Sequence, residues 1–165
     1  LELRQSLLKK NICDLTSLDA FSEELGNLER KLANLEGRYN KGGVDVLKIK
    51  EPYFLLEIRH YLLIQEAKDR CGADIDVVLY FYSNDHDECN RCDDQGYVLS
   101  YLQNQVGYEN IKMYSFDVRS DSPSVKTLMD LNDVEKAPLM VINDISYDEY
   151  LSLEEISEIL EIEQD

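Results

Sequence analysis

The sequence predicts an α/β domain preceded by a helical extension. From Asp76 onward, short segments rich in β-branched and aromatic residues alternate with segments whose apolar residues recur at helical spacing. Before that point the apolar residues follow helical and heptad spacings instead. With 165 residues, 44% of them hydrophobic, the chain can form one ordinary domain with an appended element. We therefore expect a helical extension over residues 1–43 and an α/β domain over residues 44–165, with its core in 76–161.

The extension carries leucine at alternating spacings of three and four residues, which is typical of a heptad seam. Such a seam needs a partner, so it predicts a helical hairpin, a homo-oligomer or a coiled coil with a partner helix. A second helix is expected from Pro52 to Cys71, bridging the extension and the domain, because proline suits a first helical turn and Gly72 follows. Residues 44–49 alternate and predict an edge strand. The seam residues are Leu18, Phe21, Leu25, Leu28, Leu32 and Leu35.

In the domain, the sequence pattern predicts a strand, a loop, a helix, a strand, a short helix, a strand, a turn and a helix, in that order. Ser122-Pro123 combines a capping residue with a first-turn proline, Asn143-Asp144 suits a turn, and Ser152 with Glu155 forms a capping box. In order, the predicted elements are a strand over 77–82, a polar loop over 84–88, a helix over 92–106, a strand over 111–118, a short helix after Ser122, a strand over 138–142 and a last helix after Ser152.

Charge excludes some classes of function. The chain has 34 acidic against 17 basic residues, a formal charge of −17. It therefore repels phosphate backbones and anionic lipid headgroups, and we expect no nucleic-acid partner. No apolar stretch approaches the roughly 20 residues that span a bilayer. Because the sequence begins at Leu1, membrane anchoring is expected only through a segment preceding that residue.

The strongest chemical motif is Cys89-Asn90-Arg91-Cys92, between a predicted strand and a predicted helix. A thiol at a helix N-terminus is favoured as thiolate by the helix dipole. Cys89 would attack a substrate sulfur and Cys92, about one turn away, would displace it. The alternatives are incidental cysteines or a zinc site that includes His86, although a structural zinc site usually takes four Cys or His ligands.

Strand, C-x-x-C, helix, strand, short helix, and then Ala137-Pro138 opening a late strand together resemble the thioredoxin family. The resemblance implies a central mixed sheet flanked by helices and a cis proline at Pro138 that faces the cysteine pair. The family motif is W-C-G-P-C, whereas here Glu88 precedes the pair and Asn90-Arg91 lies within it. Where the family's reductases carry a buried acid on the preceding strand, the matching residue here is Tyr80.

By this resemblance the expected function is thiol-disulfide oxidoreductase action on protein thiols or disulfides, without a cofactor. Cys89 and Cys92 are the expected catalytic residues, and Ala137, Pro138 and Arg91 the expected substrate-binding residues. Arg91 should lower the pKa of the Cys89 thiol, and the neighbouring carboxylates should raise it. The alternative is a non-catalytic thioredoxin-like binding or scaffold protein that recruits a partner through the heptad seam.

Cys13 and Cys71 form the second pair. An antiparallel hairpin of the two N-terminal helices would bring the two thiols together, which predicts a structural disulfide. The alternative is that both are small buried apolar residues. A bridge indicates an oxidising, extracytoplasmic compartment, and unpaired thiols a cytoplasmic one.

Overall fold

The computed structural model describes residues 44–163 and six positions before them, at 23, 26, 27, 30, 31 and 34. The predicted heptad seam and Cys13 lie outside the described residues. The chain divides into two compact units, Leu1–Ile75 and Asp76–Asp165. The predicted core of the domain, residues 76–161, falls within the second unit.

The first unit contributes one long helix, α1, Val44–Cys71. The predicted edge strand over residues 44–49 is wrong, because this segment forms the first turns of α1, and Pro52 lies inside the helix rather than at its start. Six residues are too few to separate a period of two from a helical period. The C-terminus is as predicted: Gly72 follows at φ 62°, and its N–H donates to the Lys68 carbonyl over 3.1 Å. Among the described residues, no helix is long and apolar enough to cross a membrane.

The second unit is a mixed four-stranded sheet with helices, which confirms the predicted α/β class. The strands lie in the order β2-β1-β3-β4. β2 pairs parallel to β1, while β3 pairs antiparallel to β1 and to β4. In chain order the elements are β1 Asp76–Tyr82, α2 Cys92–Val106, β2 Ile111–Asp117, α3 Pro123–Leu131, β3 Leu139–Ile142, β4 Ile145–Tyr147 and α4 Leu153–Ile159.

β1 is central because its residues are apolar on both faces. Residues 77–81 are all buried, as expected for a strand covered on both sides. Its register places Val78 opposite Met113 of β2 and Ile142 of β3. Side chains of β1, β3, α2 and α4 form one apolar cluster, which includes Val78, Leu102 and Ile156. This packing holds β1, whose end leads into the loop before the cysteine motif, against α2.

β3 and β4 form a hairpin whose second strand the sequence reasoning missed. Asn143 and Asp144 both have positive φ, 47° and 71°, as a two-residue type I′ turn requires. The Asn143 side chain accepts from the Val77 N–H over 2.9 Å and donates to an Asp76 carboxylate oxygen over 2.9 Å. The predicted turn is therefore correct, and it also ties the hairpin to the start of β1.

The predicted capping box at the start of α4 is present. The Glu155 N–H donates to the Ser152 hydroxyl over 3.2 Å, and the Ser152 N–H donates to the Glu155 carboxylate over 3.1 Å. Ser122 occupies the N-cap of α3, with Pro123 as the first helical residue, but its hydroxyl makes no capping hydrogen bond.

Ser152→Ala is expected to lower the free energy of unfolding by about 1 kcal/mol, because the Glu155 N–H loses its acceptor. Urea denaturation would measure the change. Ser100→Ala, on the exposed side of α2, is the control and should be neutral or slightly stabilising, since alanine is the better helix former. Equal losses in both variants would contradict a specific capping role.

Candidate active site

A disulfide bond joins Cys89 and Cys92, whose Cα atoms lie 5.5 Å apart. Cys89 lies near the end of the loop that follows β1, and Cys92 is the first residue of α2. The two residues are only 4% and 5% exposed. The motif thus lies at the strand-to-helix junction that the sequence predicted.

Ser83 organises the loop that leads to the pair. Its N–H points to the Cys92 Sγ over 3.5 Å, and its hydroxyl donates to a Glu88 carboxylate oxygen over 2.8 Å. The same hydroxyl accepts from the Asp85 N–H over 3.1 Å, and the Asp85 carbonyl accepts from the Cys89 N–H over 2.9 Å. These bonds place a backbone donor against the sulfur of the second cysteine.

Tyr80 lies beneath the motif, at the position where the resemblance implies an acid. Its hydroxyl donates to the Cys92 carbonyl over 2.7 Å. Burial raises the pKa of the Tyr80 hydroxyl above its ordinary value of 10.0, and the negative charge of Asp93 raises it further by a smaller amount. At neutral pH Tyr80 is therefore a hydrogen-bond donor and not a proton acceptor.

Tyr80→Phe is expected to lower the free energy of unfolding by about 1 to 2 kcal/mol at pH 8, because the Cys92 carbonyl loses a buried donor. The difference in free energy of unfolding between the parent and Tyr80→Phe should become smaller above pH 10. Above pH 10 Tyr80 ionises in the unfolded parent, while in the folded parent it keeps its proton. The stability that the protonated Tyr80 hydroxyl contributes to the parent is therefore complete below pH 10 and is lost as pH rises. Urea unfolding of both proteins at pH 8 and pH 10.5 would measure the gap. A gap that widens would contradict the raised pKa.

Ala137 and Pro138, two of the predicted substrate-binding residues, immediately precede β3. The Ala137-Pro138 peptide bond is cis, as the resemblance implies. Ala137 packs against both cysteines in a small cluster, to which Tyr82 and Val118 also contribute.

Arg91, between the two cysteines, is fixed by two contacts. Its Nε lies 3.1 Å from an Asp94 carboxylate oxygen, and its Cζ lies 3.8 Å from the centre of the Tyr150 ring. The guanidinium is thus both ion-paired and stacked. Its positive charge is balanced locally by Asp94.

Gln95 holds the segment before α4 against the first turn of α2. It is fully buried, and its amide nitrogen donates to the Leu151 carbonyl over 3.1 Å. Its amide oxygen accepts from the Leu151 N–H over 2.8 Å. Together with the Arg91–Tyr150 stack, this pair of bonds connects residues 150–151 to the cysteine motif.

The zinc alternative depends on His86, Cys89 and Cys92. The two sulfurs are bonded to each other, and the His86 side chain is 77% exposed, with its Nε2 4.0 Å from an Asp93 carboxylate oxygen. Within the described part of the chain, no three histidine, cysteine or carboxylate side chains converge on one point. The arrangement of these donors therefore gives no support to a metal centre.

Of the second predicted pair, only Cys71 is described, and it is disulfide-bonded. Its predicted partner, Cys13, lies outside the described residues, so the pairing stays a prediction. Sequence reasoning missed Ser83, Gln95 and Tyr150. Gln95 could have been found as a polar residue on the apolar stripe of α2, one turn from Cys92, but the other two gave no signal that separates them from ordinary loop residues.

Comparisons with known proteins add little to this geometry. No protein-family model matches the sequence, and no curated protein matches it. A solved structure described as that of a malarial protein aligns with 53% of this chain and 94% of its own, with 20% sequence identity and a TM-score of 0.41. A similarity at this level says nothing about function.

Proposed function

We propose that the protein is a thioredoxin-like thiol-disulfide oxidoreductase that acts on protein thiols and disulfides. The observation that carries this proposal is the Cys89–Cys92 disulfide at the junction of β1 and α2, packed against Ala137, which precedes a cis proline. The mixed sheet flanked by helices is compatible with this family. Cys89 is the proposed nucleophile, Cys92 the resolving thiol, and Ala137, Pro138 and Arg91 the proposed contacts to substrate.

The reaction balances without a cofactor. A substrate thiolate attacks the Cys89 sulfur, the Cys89–Cys92 bond breaks, and Cys92 leaves as a thiolate that takes a proton from water. A second substrate thiolate then attacks the substrate sulfur of the mixed disulfide and releases the Cys89 thiolate. The substrate loses two electrons and becomes a disulfide, while the protein gains two electrons and becomes a dithiol. The reverse sequence reduces a substrate disulfide.

Two groups favour the release of Cys92. The Ser83 N–H, 3.5 Å from the Cys92 Sγ, is a donor that strengthens when the sulfur becomes negative. Cys92 is also the first residue of α2, where the helix dipole stabilises negative charge. A leaving group whose thiolate is stabilised departs faster, so both groups accelerate opening of the disulfide.

The test is a single turnover with the oxidised protein and a reduced peptide that contains two cysteines. We expect one peptide disulfide to form per protein molecule, together with two new protein thiols that map to Cys89 and Cys92. Acid quenching, alkylation and mass spectrometry measure both. A control protein, reduced and alkylated at this pair, should form none. Equal peptide oxidation by the parent and by this control would overturn the proposal.

We further propose an oxidising, extracytoplasmic compartment. Cys71, Cys89 and Cys92 are all disulfide-bonded, and stable disulfides are rare in reducing compartments. Peptide mapping of the native protein under non-reducing conditions would test the proposal through the predicted Cys13–Cys71 link. Recovery of both residues as stable thiols would contradict it.

A further inference from the structure

An open depression of about 400 Å³ in the surface, called the cavity below, is lined by seven residues, of which three are acidic. Asp133, Glu135 and Asp148 line it, against a single basic residue, Lys136. None of the three carboxylates forms an ion pair with a described Lys, Arg or His side chain. Asn132, Leu139 and Ser146 complete the lining.

Two residues that line the cavity are close in the chain to residues of the disulfide site. Lys136 is bonded to Ala137, which packs on the two cysteines. Asp148 is two residues from Tyr150, whose ring stacks on Arg91, so their Cα atoms are at most about 7 Å apart. A polypeptide with its sulfur at Cys89 therefore has the cavity within reach of a residue that flanks its cysteine.

Negative charge continues on the other side of the motif. Asp85, Asp87 and Glu88 precede Cys89 in the loop, and the one basic side chain inside the motif, Arg91, is already paired with Asp94. Asp133, Glu135 and Asp148 are exposed to solvent, so at low ionic strength the fields of these carboxylates add and attract a cation while repelling an anion. The local field thus has the same sign at the cavity and at the loop.

We infer that the site selects polypeptides whose reactive cysteine is flanked by lysine or arginine, and that the cavity receives the cationic side chain. This inference rests on the proposed function, since it names the substrate class of the same site. The long aliphatic stem of lysine or arginine suits a cavity of this volume, and the charged end meets the carboxylates of Asp133, Glu135 and Asp148. The reaction is the balanced exchange given above.

The test compares two dithiol peptides of equal length, one with lysines and one with glutamates beside the cysteines. Flanking charge changes thiol pKa by itself, so each rate is divided by that peptide's rate with a small neutral disulfide, such as hydroxyethyl disulfide. We expect the lysine peptide to be oxidised about tenfold faster after this correction at low ionic strength. The ratio should fall towards one in 0.5 M salt, where the Debye length is only a few Å.

A double variant, Asp133→Asn with Asp148→Asn, locates the effect. Asparagine tolerates the φ of 54° at position 133 as well as aspartate does. We expect the corrected ratio to fall about threefold in this variant. A control with the same change in net charge, Asp130→Asn with Glu158→Gln at exposed helical positions, should keep the parent ratio.

The outcomes separate the two proposals. No oxidation of either peptide would overturn the proposed function. Oxidation of both at equal corrected rates would overturn only the substrate class. An equal fall of the corrected rate ratio in the double variant and in its control would assign the preference for the lysine peptide to the overall charge of −17. It would overturn the role of the cavity.

Discussion

Replacing Cys89 with serine is expected to lower the rate of peptide oxidation by more than about a thousandfold, because a hydroxyl can neither hold the disulfide nor form a mixed one. The remaining rate should equal that of the Cys71 disulfide alone. Single-turnover oxidation of the dithiol peptide, with products counted by mass spectrometry, measures the loss. The fold should persist, since serine is close in volume to cysteine and the pair belongs to a small cluster separate from the main apolar cluster.

Cys92→Ser is the matched variant, because it removes the other sulfur from the same bond. Treated with an oxidised peptide, its free Cys89 should attack one peptide sulfur and stop, since no second thiol can displace the peptide. A covalent adduct of protein and peptide should accumulate and disappear on addition of dithiothreitol. Adduct formation in Cys89→Ser at the rate seen in Cys92→Ser would contradict the assignment of Cys89 as nucleophile.

Gln95→Ala is expected to lower the free energy of unfolding by about 3 kcal/mol. The change removes two hydrogen bonds, and it leaves the N–H and C=O of Leu151, a buried residue, without their partners. It also opens a void in a fully buried position. Urea denaturation under non-reducing conditions, which keeps the disulfides intact, would measure the loss.

Gln105→Ala is the control, because it makes the same chemical change on the exposed side of the same helix. It should alter stability by less than about 0.5 kcal/mol. Similar losses in the two variants would show that helix propensity, and not the bonds to Leu151, sets the effect at position 95.

Much of the second unit could be predicted from the sequence because local signals there agree. The bounds of α2, Cys92–Val106, match the prediction, and β1 differs from it by one residue. Where local signals conflict, the prediction failed. The pattern of residues 44–49 fits both a strand and a helix. In the structure these residues continue without a break into the rest of α1. β4 was missed because three residues with two exposed side chains carry no alternating pattern.

Some residues of the candidate site could be predicted from the sequence and others could not. The cysteine pair and Ala137-Pro138 could be singled out because each has a recognisable motif. The partners of Arg91 and Gln95 could not, since Tyr150 and Leu151 are more than fifty residues away along the chain and meet the motif only through the packing of α4. Such long-range contacts depend on the tertiary fold, which local periodicity does not contain.

The packing of Tyr82 against the cysteine pair makes the redox state visible to spectroscopy. The chain contains eleven tyrosines and no tryptophan, so its ultraviolet emission comes from tyrosine alone. Tyr82 packs against the Cys89–Cys92 cluster, and its ring centre lies 5.7 Å from that of Tyr80. Disulfides quench tyrosine emission at contact distance, so reduction of this bond should brighten the unlabelled protein. Its turnover can therefore be followed without a dye or a coupled assay.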